Sequence, residues 1–424
     1  VLGRRARIMT QHIGSRTMPD FFGNRFGSPA LKIAASCITF IFLIPYTASL
    51  YNGLSSLFAI AFDIPYWICI LIMAVLTGVY VIFGGYMATA INDFVQGILM
   101  LFGIAVVVIA VLQQNGGLME SIEKLATSEN GGWEYSSFLG PDPVGLLMVV
   151  LLTSLGTWGL PQMVGKFYAI KSESMIHKGT LISTVFAIIV AGGCYFLGGF
   201  GQLYAGSVEY IAPGKPVFDS IIPTMLSGLP DILLGIVVIL VLSASMSTLS
   251  SLVITSGSTL ALDIFVPLMR RRGILPGNKT QLLQIRLLVV FFILVSSVIA
   301  IVQAKSSVTF IAQLMGISWG ALAGAFLAPF LYGLYWKRAT KLACWVSFIF
   351  SSVFMLLIIS PLKEFFPAVL RSPINAGAFS MIMGLIIVPV VSLVTKPPKK
   401  EKVEEIFACY EKKVTVTVKT AIED

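Results

Sequence analysis

The sequence is poor in charged residues and in histidine. Only 12% of the 424 residues are charged, against about 25% in an ordinary soluble domain. Two histidines, His12 and His177, are too few for a histidine-based metal or acid–base centre. The five cysteines lie far apart with no paired spacing, which argues against a disulfide scaffold or a zinc site. Because the chain also has no recognisable nucleophile–base pair or phosphate loop, we expect neither an enzyme nor a cofactor.

The sequence is instead rich in long apolar stretches. Hydrophobic residues make up 57% of the chain and the mean hydropathy is +0.91. An apolar stretch of about 20 residues is needed to cross a bilayer as a helix. Ten such stretches are present: 31–61, 65–88, 92–113, 144–169, 179–204, 229–265, 281–303, 308–335, 340–360 and 374–395. The expected fold class is therefore an all-α polytopic membrane protein with about ten spans.

The basic residues predict the orientation of these spans. Of the 29 lysines and arginines, 24 fall in segments that would share one side of the membrane, and five fall on the other. We expect the protein to lie in the plasma membrane. The positive-inside rule then places both ends of this chain in the cytoplasm. Since the basic residues are spread as topology anchors and do not form one patch, we do not expect nucleic acid as a partner.

Three parts of unequal length follow from this pattern. Residues 1–30 are interpreted as a cytoplasmic connector, 31–395 as the transmembrane domain and 396–424 as a cytoplasmic tail. The first thirty residues are basic and lead into a span as an inter-helix loop does, so we expect further spans upstream of Val1 in the native protein.

Two aspartates stand out because carboxylates are costly at membrane depth. Asp93 lies where the second predicted span turns into the third, and we interpret it as a functional carboxylate. The alternative is a helix N-terminal carboxylate near water, stabilised by free backbone N–H groups. Asp263, at the end of the sixth span, is expected to be an interfacial carboxylate.

The sixth span carries the densest group of hydroxyls. Positions 244, 247, 248 and 251 follow the helical i, i+3, i+4, i+7 rule and share one face, which Ser250 flanks. Hydroxyl and carbonyl oxygens are hard neutral ligands that suit a small hard cation. Any single serine could instead bond to its own helix, but the group together favours a cation site.

Two further patterns involve glycine. The fourth span contains the run Gly156-Thr157-Trp158-Gly159-Leu160-Pro161-Gln162, and glycine with proline weakens the helical ladder. Interrupted spans of this kind mark substrate sites in transporters, although a simple proline kink is an equal alternative. In the eighth span, Gly316, Gly320 and Gly324 repeat every four residues, which suits close helix packing or a sliding surface.

These motifs together resemble those of the sodium/solute symporters, the family that includes sodium/proline, sodium/glucose, pantothenate and sialic acid carriers. The resemblance covers about residues 20–395. It rests on the segment from Gly84-Gly85-Tyr86 to Asp93-Phe94-Val95-Gln96, on the Gly-x-Pro element ending at Pro161, and on Ala244-x-Met246-Ser247-Thr248-Leu249-Ser250. It implies the five-plus-five inverted repeat of the leucine-transporter fold, here without its first core helices, working by alternating access.

The resemblance also implies which residues bind sodium. The matching positions are Ala244 (through its carbonyl), Ser247 and Thr248 for one site, and Asp93, Ser247, Ser250 and Ser251 for a second site present in some members. A chain with both sites would move two sodium ions per cycle. Sodium would then be the coupling ion, and the bilayer and a small solute the other partners.

The solute is expected to face the fourth span. By resemblance the contacting residues are Thr153, Thr157, Trp158 and Gln162. Proline carriers have aromatic residues at the positions of Thr153 and Thr157, which argues against proline. Small polar amino acids, carboxylates and pantothenate-like compounds stay open. The competing hypotheses are a non-transporting membrane sensor with the same fold and an inactive fragment.

Overall fold

The computed structural model describes residues 2–62, 64–127, 132–168, 170, 173–207, 209–212, 215–306 and 311–410. Helices make up nearly all of this part of the chain: α1 (Leu2–His12), α2 (Met18–Phe26), α3 (Pro29–Phe62), α4 (Tyr66–Gln114), α5 (Leu118–Thr127), α6 (Pro143–Ser154), α7 (Pro161–Tyr168), α8 (Glu173–Gly199), α9 (Ile221–Ser227), α10 (Asp231–Leu260), α11 (Val266–Arg271), α12 (Asn278–Ser306), α13 (Ile311–Tyr335), α14 (Lys341–Ile359), α15 (Pro373–Val394) and α16 (Lys400–Phe407). One antiparallel ribbon of β1 (Glu209–Ala212) and β2 (Lys215–Val217) lies between α8 and α9.

The spans predicted from the sequence are confirmed. Within the described residues, nine helical segments are long and apolar enough to cross a membrane, and a bent pair raises this number to ten. The bent pair consists of Pro143–Gly159 and Pro161–Tyr168, which meet at 45°. The expected all-α class is likewise confirmed, with the short ribbon as the one addition in this part of the chain.

The helix α4 contains two spans joined at a sharp break. Gly85 has φ 60° and ψ −166°, a backbone conformation that glycine adopts without a steric penalty. The break therefore comes earlier than the boundary near residues 88–92 that hydropathy predicts. As a result Asp93 lies in the second turn after the break, inside the span Met87–Gln114. This position is too far along the helix for the N-terminal capping role that the sequence left open.

The bend between α6 and α7 has a local cause. A single 3-10 turn, Gly156–Gly159, follows α6, and Leu160 is extended with φ −88° and ψ 120°. Pro161 then starts α7, where its missing N–H costs no hydrogen bond. A side chain at Gly159 would come within 2.9 Å of backbone atoms of α13, so only glycine allows this close approach.

The tightest helix pair is α13 with α15. A Cβ added at Gly320 would lie 2.5 Å from the Cα of Gly377, and one at Gly316 would lie 3.0 Å from the backbone nitrogen of Ile374. Of the apolar window of α13, 89% is buried. The four-residue glycine repeat is thus a surface for close helix packing, as the sequence suggested.

The segment predicted as a connector folds onto one end of the bundle. Helix α2 buries Phe21 and Phe22 in an aromatic cluster with rings from α13 and α14. The Arg25 guanidinium donates to the carbonyls of Gly333 at 2.9 Å and Trp336 at 3.2 Å, at the end of α13. Burial lowers the pKa of Arg25 to about 10, so this group keeps its charge at neutral pH.

The short helix α16 completes this end of the bundle. It buries Val403, Ile406 and Phe407, and the Phe407 ring lies 5.0 Å from the Arg25 guanidinium carbon. The segment interpreted as a tail thus contains a packed helix over Lys400–Phe407. We call the end that holds α1, α2 and α16 the basic end.

Candidate sodium and solute site

The hydroxyls of α10 bond to their own helix and keep oxygen lone pairs available. Thr248 Oγ1 donates to the Ala244 carbonyl at 3.0 Å, Ser250 Oγ to Ser247 O at 3.0 Å, and Ser251 Oγ to Thr248 O at 2.9 Å. A hydroxyl that donates its proton can still accept or ligate through two lone pairs. The helix bonds therefore hold these oxygens in place without removing them as ligands.

Asp93 meets this group from α4. Its carboxyl lies close enough to Ser247 for a side-chain interaction, and the positive charge of Lys166 on α7 acts on it electrostatically. Asp93 Oδ1 is buried and has no hydrogen-bond partner among the described residues. A buried oxygen without a partner is costly, more so when it carries charge. A hydrogen-bond donor or a cation beside this oxygen would therefore stabilise it.

The chemistry of the group suits a monovalent hard cation. Its oxygens come from one carboxylate, from hydroxyls and from the Ala244 carbonyl, whereas nitrogen and sulfur ligands that favour zinc or copper are absent from it. Within the described residues there is no cluster of three or more His, Cys, Asp or Glu side chains that could hold a metal. One formal negative charge matches one sodium ion.

The predicted solute residues lie on the bent pair. Thr153 Oγ1 donates to Val149 O at 2.8 Å, and Thr157 Oγ1 donates to Ser154 O at 3.0 Å. Trp158 is 41% exposed. Gln162, in the first turn of α7, is only 3% exposed, and both polar atoms of its amide lack partners among the described residues.

The structure brings the predicted sodium residues together more clearly than the solute residues. Asp93 faces Ser247, and the other sodium residues lie within two turns of it on α10. Among the described residues no hydrogen bond joins Thr153, Thr157, Trp158 and Gln162 to one another. All four residues lie at or beside the bend between α6 and α7, and the glycines of this bend pack against α13.

Asp263, expected at the interface, lies buried among partners at the end of the sixth span. It is 3% exposed, and its Oδ2 accepts a hydrogen bond from Thr17 Oγ1 at 2.6 Å. Its Oδ1 lies 3.2 Å from the Lys32 ammonium. These partners are more than 200 residues away in the chain, so only the packing of Thr17, before α2, and of Lys32, on α3, against the end of α10 reveals them. The signal that was available is the helical spacing of Ser256, Thr259 and Asp263 on one face.

Comparison with known proteins places the chain in a family. A family model described as "Sodium:solute symporter family" matches residues 2–350. The chain is similar to a sodium/proline symporter of Staphylococcus aureus, with 27% identity over 409 residues, covering 94% of this chain and 76% of the relative. Its fold is similar to that of a Na⁺-coupled sialic acid symporter in a substrate-bound outward-open state, with a TM-score of 0.68 and 18% identity, covering 94% of this chain and 84% of that one. The leucine-transporter-type fold is thereby confirmed, and the chain belongs to the sodium:solute symporter family.

Proposed function

We propose that this protein uses the inward movement of sodium to drive uptake of a small polar organic solute by alternating access. The observation that carries the proposal is the Asp93 carboxylate, whose buried oxygen lacks a partner among the described residues and faces the hydroxyls of α10. In a member of this family the simplest occupant of such a position is the coupling ion.

Two sodium sites are proposed on α10. The first uses the Ala244 carbonyl with the hydroxyls of Ser247 and Thr248. The second uses Asp93 with Ser247, Ser250 and Ser251. The bonds to the helix support both sites, because they fix the hydroxyl oxygens of Thr248, Ser250 and Ser251 before an ion arrives. A position fixed in advance reduces the entropy lost on binding.

The solute is proposed to bind along the bent pair at Thr153, Thr157, Trp158 and Gln162. Hydroxyls, an amide and an indole can pair with both donors and acceptors of a small polar molecule. The buried amide of Gln162 supports this role, since its two polar atoms lack partners among the described residues. The relatives named as sodium/proline symporters support an amino acid or a similar carboxylate, and the two threonines favour a solute more polar than proline.

Coupling would run through the contact between α10 and α7. These helices touch, and α7 carries both Gln162 and the Lys166 that acts on Asp93. Sodium that stabilises one arrangement of this contact raises the affinity for the solute, and the solute raises the affinity for sodium by the same factor. Each inward charge contributes about 2.3 kcal/mol at 100 mV.

The proposed setting is the plasma membrane with the basic end in the cytoplasm. The excess of lysine and arginine in the segments assigned to that side supports this orientation. Sodium and the solute are then the partners, and no organic cofactor is needed.

The test is sodium-dependent uptake by the full chain in proteoliposomes. Asp93→Asn removes the charge and keeps the size, so we expect the sodium concentration for half-maximal uptake to rise at least about tenfold. Asp231→Asn is the matched control, because this aspartate lies on α10 but is exposed at the far end. Unchanged sodium activation in Asp93→Asn would remove Asp93 from the ion site. A wild-type chain that accumulates no solute under a sodium gradient would favour the non-transporting alternative.

A further inference from the structure

A second acidic group lies at the basic end, away from Asp93. The Lys32 ammonium lies 2.7 Å from Asp20 Oδ1 and 3.2 Å from Asp263 Oδ1. Thr17 Oγ1 donates to Asp263 Oδ2 at 2.6 Å, and the backbone N–H of Arg16 donates to Asp20 Oδ2 at 3.0 Å. Two carboxylates thus share one ammonium, which leaves one formal negative charge. We call Thr17, Asp20, Lys32 and Asp263 the exit cluster.

The end of α7 adds an unpartnered hydroxyl to the exit cluster. Tyr168 Oη is buried and has no hydrogen-bond partner among the described residues. The charged groups that act on it most strongly are Asp20 and Asp263. An oxygen in this position can complete a ligand set for a cation. Lys166, two residues before Tyr168, acts electrostatically on Asp93, so the last turn of α7 lies within the electrostatic reach of both acidic groups.

A polar face at the end of α10 leads to the exit cluster. Ser256, Thr259 and Asp263 follow one another at helical spacing, and they are 0%, 1% and 3% exposed. The Ser256 hydroxyl has no partner among the described residues. Asp263 stands 15 residues after Thr248, about 22 Å along the helix. The helix widens into a π turn at Ala261–Phe265, a feature frequent at functional sites.

A cavity opens beside the exit cluster. Its volume is about 340 Å³, and its lining includes Lys32 and Asp263 together with Asn24, Pro267 and Arg271. Asn24 and Arg271 are exposed, so the cavity reaches the surface at the basic end. An ion that leaves Asp263 therefore has an open volume in front of it.

We infer that Asp263, with Asp20, Thr17 and Tyr168, forms a release site for a monovalent cation at the cytoplasmic end of α10, and that the Lys32 ammonium occupies this site while no ion is there. The inference rests on the proposed function, which supplies the ion and the direction of its movement. Sodium that reaches the exit cluster takes the place of the ammonium between the carboxylates. The exchange replaces one positive charge with another, so the carboxylates are never left without a counter-ion. The displaced Lys32 then swings into the cavity, and the ion follows it to the cytoplasm.

The geometry makes Lys32 a competitor of sodium and Asp263 its ligand. Substitutions at these two positions must therefore act in opposite directions. Lys32→Gln removes the competing charge and should lower the dissociation constant for sodium at this site at least about tenfold. Asp263→Asn removes a ligand and its charge, and should abolish binding at this site. A purely structural ion pair would instead make both substitutions destabilise the fold in the same direction without changing sodium affinity.

The experiment measures binding of ²²Na⁺ to the purified full chain in nanodiscs, as ions bound per chain against sodium concentration. We expect Lys32→Gln to add a tighter class of sites that Asp93→Asn leaves in place. Asp263→Asn should lack that class, and Asp231→Asn, a matched change on the same helix, should bind as the wild type does. Should Asp263→Asn not fold, Lys32→Gln decides alone: an unchanged binding curve overturns the inference.

The design separates this inference from the proposed function. If Lys32→Gln binds as the wild type while Asp93→Asn loses a sodium site, the release site is wrong and sodium coupling stands. If Lys32→Gln gains the tighter class while the wild type shows no sodium-dependent uptake, the cation site is real and the proposed coupling is wrong.

Discussion

Helices α13 and α10 are both apolar enough to cross a membrane, yet they are buried to very different extents. The window of α13 has a mean hydropathy of 1.7 and is 89% buried, whereas that of α10 has 2.5 and is 28% buried. The less hydrophobic helix is thus the more buried one. In a bilayer, apolar side chains contact lipid as favourably as they contact protein. Hydropathy therefore predicts which segments cross the membrane, whereas small residues indicate where helices pack together.

The two helices also differ in the polar groups that they bury. Glycines of α13 meet the backbone of α15, and the hydroxyls of Ser351 and Ser380 lie against Gly324. On α10 the hydroxyls face a carboxylate that has an oxygen without a partner among the described residues. We interpret α13 with α15 as the rigid part of the bundle, and α10 with α4 as the part that exchanges ions.

The largest effect is expected for a substitution that disrupts the packing of the rigid part. In Gly320→Leu the new side chain has no room, because its Cβ would already lie 2.5 Å from the Cα of Gly377. We expect the free energy of unfolding to fall by about 3 kcal/mol or more. The matched control is Gly235→Leu on α10, where an added Cβ has no atom within 4 Å. Thermal unfolding of fluorescent fusions in detergent measures both, and similar melting temperatures for the two variants would contradict the interpretation.

Thr248 tests the part of the bundle that exchanges ions. Thr248→Ala removes a proposed sodium ligand, so the sodium concentration for half-maximal uptake should rise about tenfold, or about 1.4 kcal/mol. The melting temperature should change little, since the lost hydrogen bond lies within one helix. Ser258→Ala serves as control, because Ser258 makes the same kind of bond to Thr255 on the same helix. Equal sodium responses in the two variants would remove Thr248 from the site.

The sequence predicted the rigid part well and the exit cluster poorly. Two features act through local backbone geometry: the glycine repeat at 316, 320 and 324, and the break before Pro161. Both can therefore be predicted from the residues alone. The same holds for the serines of α10, whose spacing alone places them on one face. The break at Gly85 was misplaced by a few residues because hydropathy does not change there.

The exit cluster could not be predicted because its contacts are long-range. Residues 1–30 were interpreted as a connector because they are basic and lead into a span as an inter-helix loop does. The helices α1 and α2 that they form are too short to be stable alone in water. Packing of Phe21 and Phe22 onto α13 and α14 is what folds α2. The same packing brings Thr17 to Asp263, a contact that the position of Asp263 in the sequence does not reveal.

The third prediction tests whether Gln162 serves the solute or the fold. Gln162→Leu removes two buried polar atoms that have no partners among the described residues, so the unfolding free energy should stay equal or rise by about 1 kcal/mol. If the amide binds solute, the KM for solute should rise at least about fivefold while sodium activation is retained. Uptake kinetics and thermal unfolding on the same preparation separate the two roles. A clear loss of stability with unchanged KM would make Gln162 a structural residue.

The smallest expected effect concerns a charged group at the far end of the rigid part. Asp219 accepts a hydrogen bond from the backbone N–H of Ile311 at 3.0 Å, at the start of α13. Burial raises the pKa of Asp219 above its ordinary value of 3.8, an effect that this hydrogen bond opposes. The folded protein therefore holds the proton more tightly than the unfolded chain does. The contribution of this group to stability is full below pH 3.8, falls as the pH rises through the raised pKa, and is constant above it.

Asp219→Asn should therefore remove part of the pH dependence of unfolding and leave sodium binding unchanged. We expect the difference in unfolding free energy between wild type and variant to change by less than about 1 kcal/mol across this pH range. Melting temperatures measured in steps from pH 3.5 upward give this difference directly, and Asp142→Asn, an exposed aspartate that caps α6, is the control. A change in sodium affinity in Asp219→Asn would contradict the division, because it would mean that the start of α13 moves with the ion-binding helices.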